Sequence, residues 1–313
     1  MTSARLAAVT LAAFVVAGCT SSTSGTSPST SASPTRTTQA TTSAPSGTQY
    51  YVSIGDSYAA GYQPTSHSGG HTTRNGFAYQ VVPAAKARGY DLTLVNFGCS
   101  GATTASVLHA PGCAASALGP GAAPYGPKTQ AGAAEDFVRT HRAQIALVTV
   151  SIGGNDITTC GFSASPLTCL TPALDTVKTN LAALLAGLRA AGGPGVRIVG
   201  ITYPDVLLAG ELSPDAATRG LAPLSVQAFR SLINPALMAT YSTVGATFVD
   251  VTAATGAYGS LSATTTLAPY GTIPVPVAKV CQLTYACQYT DIHPRTNGYA
   301  IIAKLVAGTL PSR

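Results

Sequence analysis

Tyr50-Tyr51-Val52-Ser53-Ile54-Gly55-Asp56-Ser57-Tyr58-Ala59-Ala60-Gly61 holds the key to the fold. Tyr50 to Ile54 is apolar at nearly every position, which suits a strand buried on both faces, as in a parallel sheet. The small residues that follow let the chain turn sharply from strand into helix and present Ser57 at the tip. Similar runs recur at Leu92 to Phe97, Ile145 to Ile152, Val196 to Ile201 and Thr247 to Val251. Helical-length segments separate them, such as Phe77 to Arg88 and Leu174 to Ala191. In the second, Leu174, Val177, Leu181, Leu184, Leu185 and Leu188 recur at helical spacing, and Gly192-Gly193-Pro194 stops the pattern. A last helix is expected at about Arg295 to Leu310. This alternation predicts an α/β fold, a three-layer α/β/α sandwich around a parallel sheet of about five strands. Two long connections, Tyr203 to Pro223 and Thr252 to Thr290, read as functional loops. No internal repeat is present.

Outward from this core, the 313-residue chain carries one early basic residue, Arg5, followed by an uncharged run from Leu6 to Val16. That run has the length of a signal-peptide core and is too short to span a bilayer. It ends in Val16-Ala17-Gly18-Cys19, which resembles the bacterial lipobox, so residues 1–18 are expected to be a signal peptide and Cys19 a lipidated first residue. Ordinary signal cleavage, with Cys19 incidental, is the other reading. Residues 19–48 are dominated by Ser, Thr, Ala, Pro and Gly and cannot bury enough apolar surface to order themselves, which predicts a flexible tether. Residues 49–313, roughly 265 of them, suffice for one domain with a substantial core. The expected location is outside the cytoplasm, anchored to the outer face of the cytoplasmic membrane as a lipoprotein or secreted.

Only 9% of residues are charged, and the formal net charge of +6 is spread without a basic cluster, which argues against nucleic-acid binding. Beyond Cys19 there are six cysteines, an even number that favours disulfides in an exported chain. They fall into three close pairs, predicting Cys99–Cys113, Cys160–Cys169 and Cys281–Cys287. A metal site is the competing reading, but no Cys-x-x-Cys or His cluster accompanies them. No cofactor or metal is expected, and the chain is expected to be a monomer.

In an open parallel sheet, ligands bind beyond the carboxyl ends of the strands, and the distinctive polar residues lie there. Ser57 follows the first strand, near a helix N-terminus that favours developing negative charge; alone, it reads equally as a helix cap. The second strand ends in Asn96-Phe97-Gly98-Cys99-Ser100-Gly101-Ala102-Thr103-Thr104, where Gly101 offers an unobstructed backbone N–H. The third ends in Gly153-Gly154-Asn155-Asp156, where Asn155 is able to aim its amide into the same crevice or to serve as a turn residue. Near the C-terminus stands Thr290-Asp291-Ile292-His293-Pro294. Histidine titrates near neutrality and accepts a serine proton if brought within reach. His67, His71, His109 and His141 are scattered and read as surface or loop residues. Asp56 and Asp156 read as structural.

Gly55-Asp56-Ser57-Tyr58, the Gly101 segment, Gly153-Gly154-Asn155-Asp156 and Asp291-Ile292-His293-Pro294 together, in this order, resemble the four sequence blocks of the SGNH (GDSL-like) hydrolases. Within that family the chain is similar to secreted actinobacterial esterases and lipases with three disulfides. The resemblance spans residues 49 to 310 and implies a flavodoxin-like sheet. It implies Ser57 as nucleophile, His293 as base, and an oxyanion hole made by the Ser57 and Gly101 N–H groups and the Asn155 side chain. One departure stands out. The family's carboxylate usually lies three residues before the His, where this chain has Thr290, whereas Asp291 is only two before it. Either Asp291 still reaches the imidazole, or a Thr290 carbonyl orients it in a Ser–His dyad; the reading leans to the dyad.

The apolar residues Leu267, Ile273, Val275, Val277 and Val280 lead towards His293 and are expected to wall an acyl pocket, favouring carboxylic esters, lipid or short. A cell-envelope glycan O-deacetylase is the second enzymatic reading, and a non-catalytic, envelope-tethered lipid- or glycan-binding protein the rival from another class. A nucleotide-binding reading fails, because the first loop lacks a Gly-x-Gly-x-x-Gly or Walker pattern.

Overall fold

Five parallel strands form the central sheet: β1 (Gln49–Gly55), β2 (Leu92–Asn96), β3 (Ile145–Ser151), β4 (Ile198–Ile201) and β5 (Thr247–Val249), in the order β2-β1-β3-β4-β5. The computed structural model describes residues 47–163 and 165–313. The expected signal peptide, Cys19 and nearly all of the tether therefore lie outside the described residues. Strand β1 extends one residue beyond each end of its expected run, and the other four lie within theirs. β5 ends early because the Asp250 carboxylate accepts the Ala253 N–H at 2.8 Å and starts a short helix, Val251–Ala254.

Alternate side chains feed two cores, as the pleat demands. Val52, Ile54, Val148, Val150 and Ile198 pack on one face against α2 (Gln130–Thr140), α3 (Pro166–Gly192) and α5 (Asn234–Ser242). Tyr51, Leu147, Val199 and Ile201 pack on the other against α1 (Phe77–Lys86) and α7 (Thr296–Gly308). Helix α3 begins two turns earlier than its heptad-like leucines suggest. Pro166 is accepted in its first turn, where the missing N–H has no partner to lose, and Pro172 is tolerated inside it.

The two long connections are mostly regular structure. The first holds a 3₁₀ segment, Val206–Leu212, and most of the first half of α4 (Ala216–Ala228), which Asp215 caps. The second holds an antiparallel hairpin, Thr264–Leu267 with Gly271–Pro274, and α6 (Val275–Leu283). Prolines at 214, 223, 274 and 276 disguise them, because each sits at an element's edge or is absorbed within a helix. Their apolar residues form a third cluster, in which Ile273, Val277 and Val280 meet Leu208 and Ala222. Three disulfides join Cys99–Cys113, Cys160–Cys169 and Cys281–Cys287, a usage that belongs to an oxidising compartment. Among the described residues no helix is long and apolar enough to cross a membrane.

Candidate active site

The turn that presents Ser57 starts at Gly55, whose φ of +146° is closed to most side chains. A β-carbon there would lie 2.0 Å from the Ser151 carbonyl oxygen. Gln130, the first residue of α2, grips the same peptide: its Oε1 accepts the Gly55 N–H at 2.8 Å, and its Nε2 donates to the Gly55 carbonyl at 3.0 Å. Gly55→Ala should therefore cost about 3 kcal/mol or more of stability through backbone overlap and strain. Thermal unfolding of the variant checks this; a midpoint equal to that of the parent would refute it.

Asp56 caps the short helix Ser57–Ala60, with Oδ1 accepting the Tyr58 N–H at 2.9 Å. Its Oδ2 accepts the Tyr203 hydroxyl at 2.6 Å. Burial pushes the Asp56 carboxyl up to about 6, against the opposing pull of the Tyr203 hydroxyl and the Tyr58 N–H. Ser57 opens the helix and is itself 6% exposed. Among the described residues its N–H donates to no protein acceptor, and neither does that of Gly101, whose α-carbon faces open space.

The loops after β2 and β3 are fastened to this turn and to each other. The Cys99 N–H donates to the Gly55 carbonyl at 3.0 Å. The Asn155 Nδ2 donates one hydrogen to the Ala102 carbonyl at 2.8 Å, which leaves the other for a ligand. Asp156 accepts the Thr104 hydroxyl at 2.6 Å and its N–H at 3.0 Å. Asp56 and Asp156 thus hold loops in place.

His293 reaches Ser57 across 236 residues of chain, Nε2 to Oγ at 2.7 Å. Its Nδ1 lies 2.7 Å from Asp291 Oδ1, and the same oxygen accepts the His293 backbone N–H at 2.8 Å. The group beside Nδ1 is thus the Asp291 carboxylate and not the Thr290 carbonyl towards which the spacing leans, and the two residues suffice because they close a tight Asx-type turn. Thr290 instead takes the left-handed conformation (φ 53°) that turns the chain into this loop. Half-burial works to raise the Asp291 carboxyl, but the hydrogen bonds and charge of His293 outweigh it and hold it below the usual carboxylate range.

The loop that carries His293 is anchored on several sides. The Tyr58 hydroxyl donates to the Ile292 carbonyl at 2.6 Å, and the Tyr285 N–H to the His293 carbonyl at 3.0 Å. The Arg295 N–H donates to the Leu283 carbonyl at 2.8 Å, and its Nε to the Thr284 carbonyl at 2.8 Å. Tyr62 lays its ring 4.5 Å from the imidazole. His67, His71 and His109 are exposed, and His141 stacks on Phe137 away from the site. Gln130, Tyr203 and Tyr62 carry no motif that marks them in the sequence.

Beside Ser57 opens an apolar cleft of about 920 Å³ including its mouth. Ile157, Leu170, Leu207, Leu221, Phe229 and Ile233 wall it. The expected wall, Leu267, Ile273, Val275, Val277 and Val280, does not reach it; from the second connection's far end only Ile292 does. Among the described residues no group of His, Cys, Asp and Glu gathers as a metal site.

The model of the GDSL-like lipase/acylhydrolase family matches residues 53–301. An extracellular lipase from Streptomyces rimosus is similar at 19% identity, covering 84% of this chain and 99% of its own, with a TM-score of 0.49. An acetylxylan esterase from Geobacillus stearothermophilus is similar at 16% identity, over 85% of this chain and 97% of its own, with a TM-score of 0.45. For an aryl esterase from M. smegmatis the values are 14%, 83%, 97% and 0.43. No curated protein matches the chain.

Proposed function

The chain belongs to the GDSL-like lipase/acylhydrolase family, and from that premise we propose that it hydrolyses carboxylic esters through a Ser57–His293–Asp291 triad. The observation that carries this reading is the unbroken hydrogen-bonded line from Asp291 Oδ1 through both imidazole nitrogens to Ser57 Oγ. Ser57 Oγ attacks the ester carbonyl carbon while His293 Nε2 takes its proton. The oxyanion so formed is met by the Ser57 and Gly101 N–H groups and the second Asn155 amide hydrogen, donors that typically count for about 10²–10³ in turnover each. His293 returns the proton to the departing alcohol. Water, deprotonated by the same nitrogen, then releases the acid from the acyl-serine.

The acyl group is aliphatic in this proposal, because the cleft beside Ser57 is walled by leucine, isoleucine and phenylalanine. Burial of each methylene is worth about 0.8 kcal/mol, so with two or three of the six extra methylenes of octanoate buried, kcat/KM for p-nitrophenyl octanoate should exceed that for the acetate by about 10–100-fold. A series from acetyl to palmitoyl, run alongside labelling by a fluorophosphonate, tests both parts. An optimum at acetyl would replace the lipid-like substrate with a small ester or glycan acetate. Absence of turnover and of an adduct at Ser57 in folded protein would favour a binding protein instead. Three disulfides support export; anchoring through Cys19 rests on the lipobox-like sequence alone.

A further inference from the structure

Tyr203 lies in the loop after β4, outside the four blocks and outside the triad, yet it touches both halves of the reacting site. It is 8% exposed and forms part of the cleft wall next to Ser57. Its hydroxyl donates to Asp56 Oδ2 at 2.6 Å, and the other oxygen of that carboxylate holds the first turn of the nucleophile helix through the Tyr58 N–H. Gly154 packs so closely on the ring that a β-carbon there would meet Cζ at 2.9 Å. Asn155 is the next residue. The Tyr203 carbonyl accepts the Thr252 hydroxyl at 2.7 Å, and the ring stands edge-on to Tyr58 at 4.9 Å, so the side chain has little freedom.

We propose that Tyr203 is a positioning residue for the reaction: with its hydroxyl bonded to Asp56 and its ring packed on Gly154, it sets the Ser57 N–H and the Asn155 amide at the spacing an oxyanion requires. This rests on the reading of Ser57 as nucleophile. Donors to an oxyanion act through preorganisation, so a small drift of either loop costs rate in the transition state and little in substrate binding. The hydroxyl has a second effect. It donates to the ionised carboxylate of Asp56 and so favours that form over the neutral acid. The groups around Asp56 are Tyr58, Tyr203, Tyr241, Tyr299, His293 and Asp156. Of these, Tyr203 is the one whose side chain hydrogen-bonds to it.

The test is Tyr203→Phe in the full, oxidised chain, with rates expressed per active site titrated by a fluorophosphonate. Expected are a kcat lower by about 10–30-fold, a KM within twofold of the parent, and an acid limb of kcat/KM displaced to higher pH. The direction follows because removing a donor to the carboxylate raises the Asp56 pKa further. A phenylalanine fills the same volume, so a purely packing role would leave kcat per site and the acid limb unchanged, and that result would overturn the proposal. In the Asp56→Asn background, adding Tyr203→Phe should cost less than threefold; a second full tenfold loss would also overturn it, since the hydroxyl would then act elsewhere. Failure of the parent protein to be titrated at Ser57 is a separate result, which removes the nucleophile reading and this inference with it.

Discussion

Ser57→Ala and His293→Ala should each lower kcat/KM for p-nitrophenyl esters by about 10⁴-fold or more, and the double variant should be no slower than the slower single one. Without Oγ there is no nucleophile for the imidazole to activate. Without the imidazole, a hydroxyl of ordinary basicity has nowhere to send its proton at neutral pH. The 2.7 Å contact between Oγ and Nε2 is what couples the two losses. Residual rates in all three variants should be similar, because the oxyanion donors and the cleft remain. Thermal unfolding should move little, since Ser57 Oγ has the imidazole as its side-chain partner and no structural load beyond it. Losses that multiply, or a Ser57→Ala variant retaining more than a tenth of the activity, would remove Ser57 from its assigned role.

Asp291→Asn should lower kcat by about 10²–10⁴-fold while leaving the fold intact, the size seen when a triad carboxylate is replaced by its amide. The asparagine keeps an oxygen for the His293 backbone N–H, so the turn survives. To keep that contact, however, its amide either presents the same oxygen to Nδ1 without the charge or turns an N–H₂ toward it. The second arrangement makes Nδ1 the acceptor and puts the proton on Nε2, which disarms the base. The carboxyl is held below its usual range, so Asp291 stays ionised wherever His293 titrates and should not itself set the acid limb of the rate profile. Steady-state kinetics from pH 5 to 9 check both statements. A loss below tenfold would restore the carbonyl-oriented dyad that the sequence spacing favours.

The sheet was legible because each strand is a run of consecutive apolar residues, buried on both faces, and glycines or prolines mark several of its exits. The meeting of Ser57 and His293 was legible for a different reason: their blocks sit at a strand end and just before the last helix, and the fold brings the two side chains together at 2.7 Å. Spacing alone misled at Asp291, since a two-residue turn lets one carboxylate oxygen serve both the backbone and the ring of His293. The acyl wall was misassigned for a packing reason. Ile273, Val277 and Val280 are as apolar as Leu221, Phe229 and Ile233, and only the path of the chain decides that the former cover Leu208 while the latter face Ser57. Gln130 and Tyr203 act through single hydrogen bonds over 75 and 147 residues of separation, a relation no local pattern encodes.

The loop that carries His293 is seated by contacts from both ends of the domain: Tyr58 and Gln63 reach it from the start, the segment bridged by Cys281–Cys287 from just before it. The hydroxyl of Ser57 and the imidazole of His293 thus come from opposite ends of the domain, and in the proposed reaction a chain cut before residue 293 would keep the serine and lack the base that activates it.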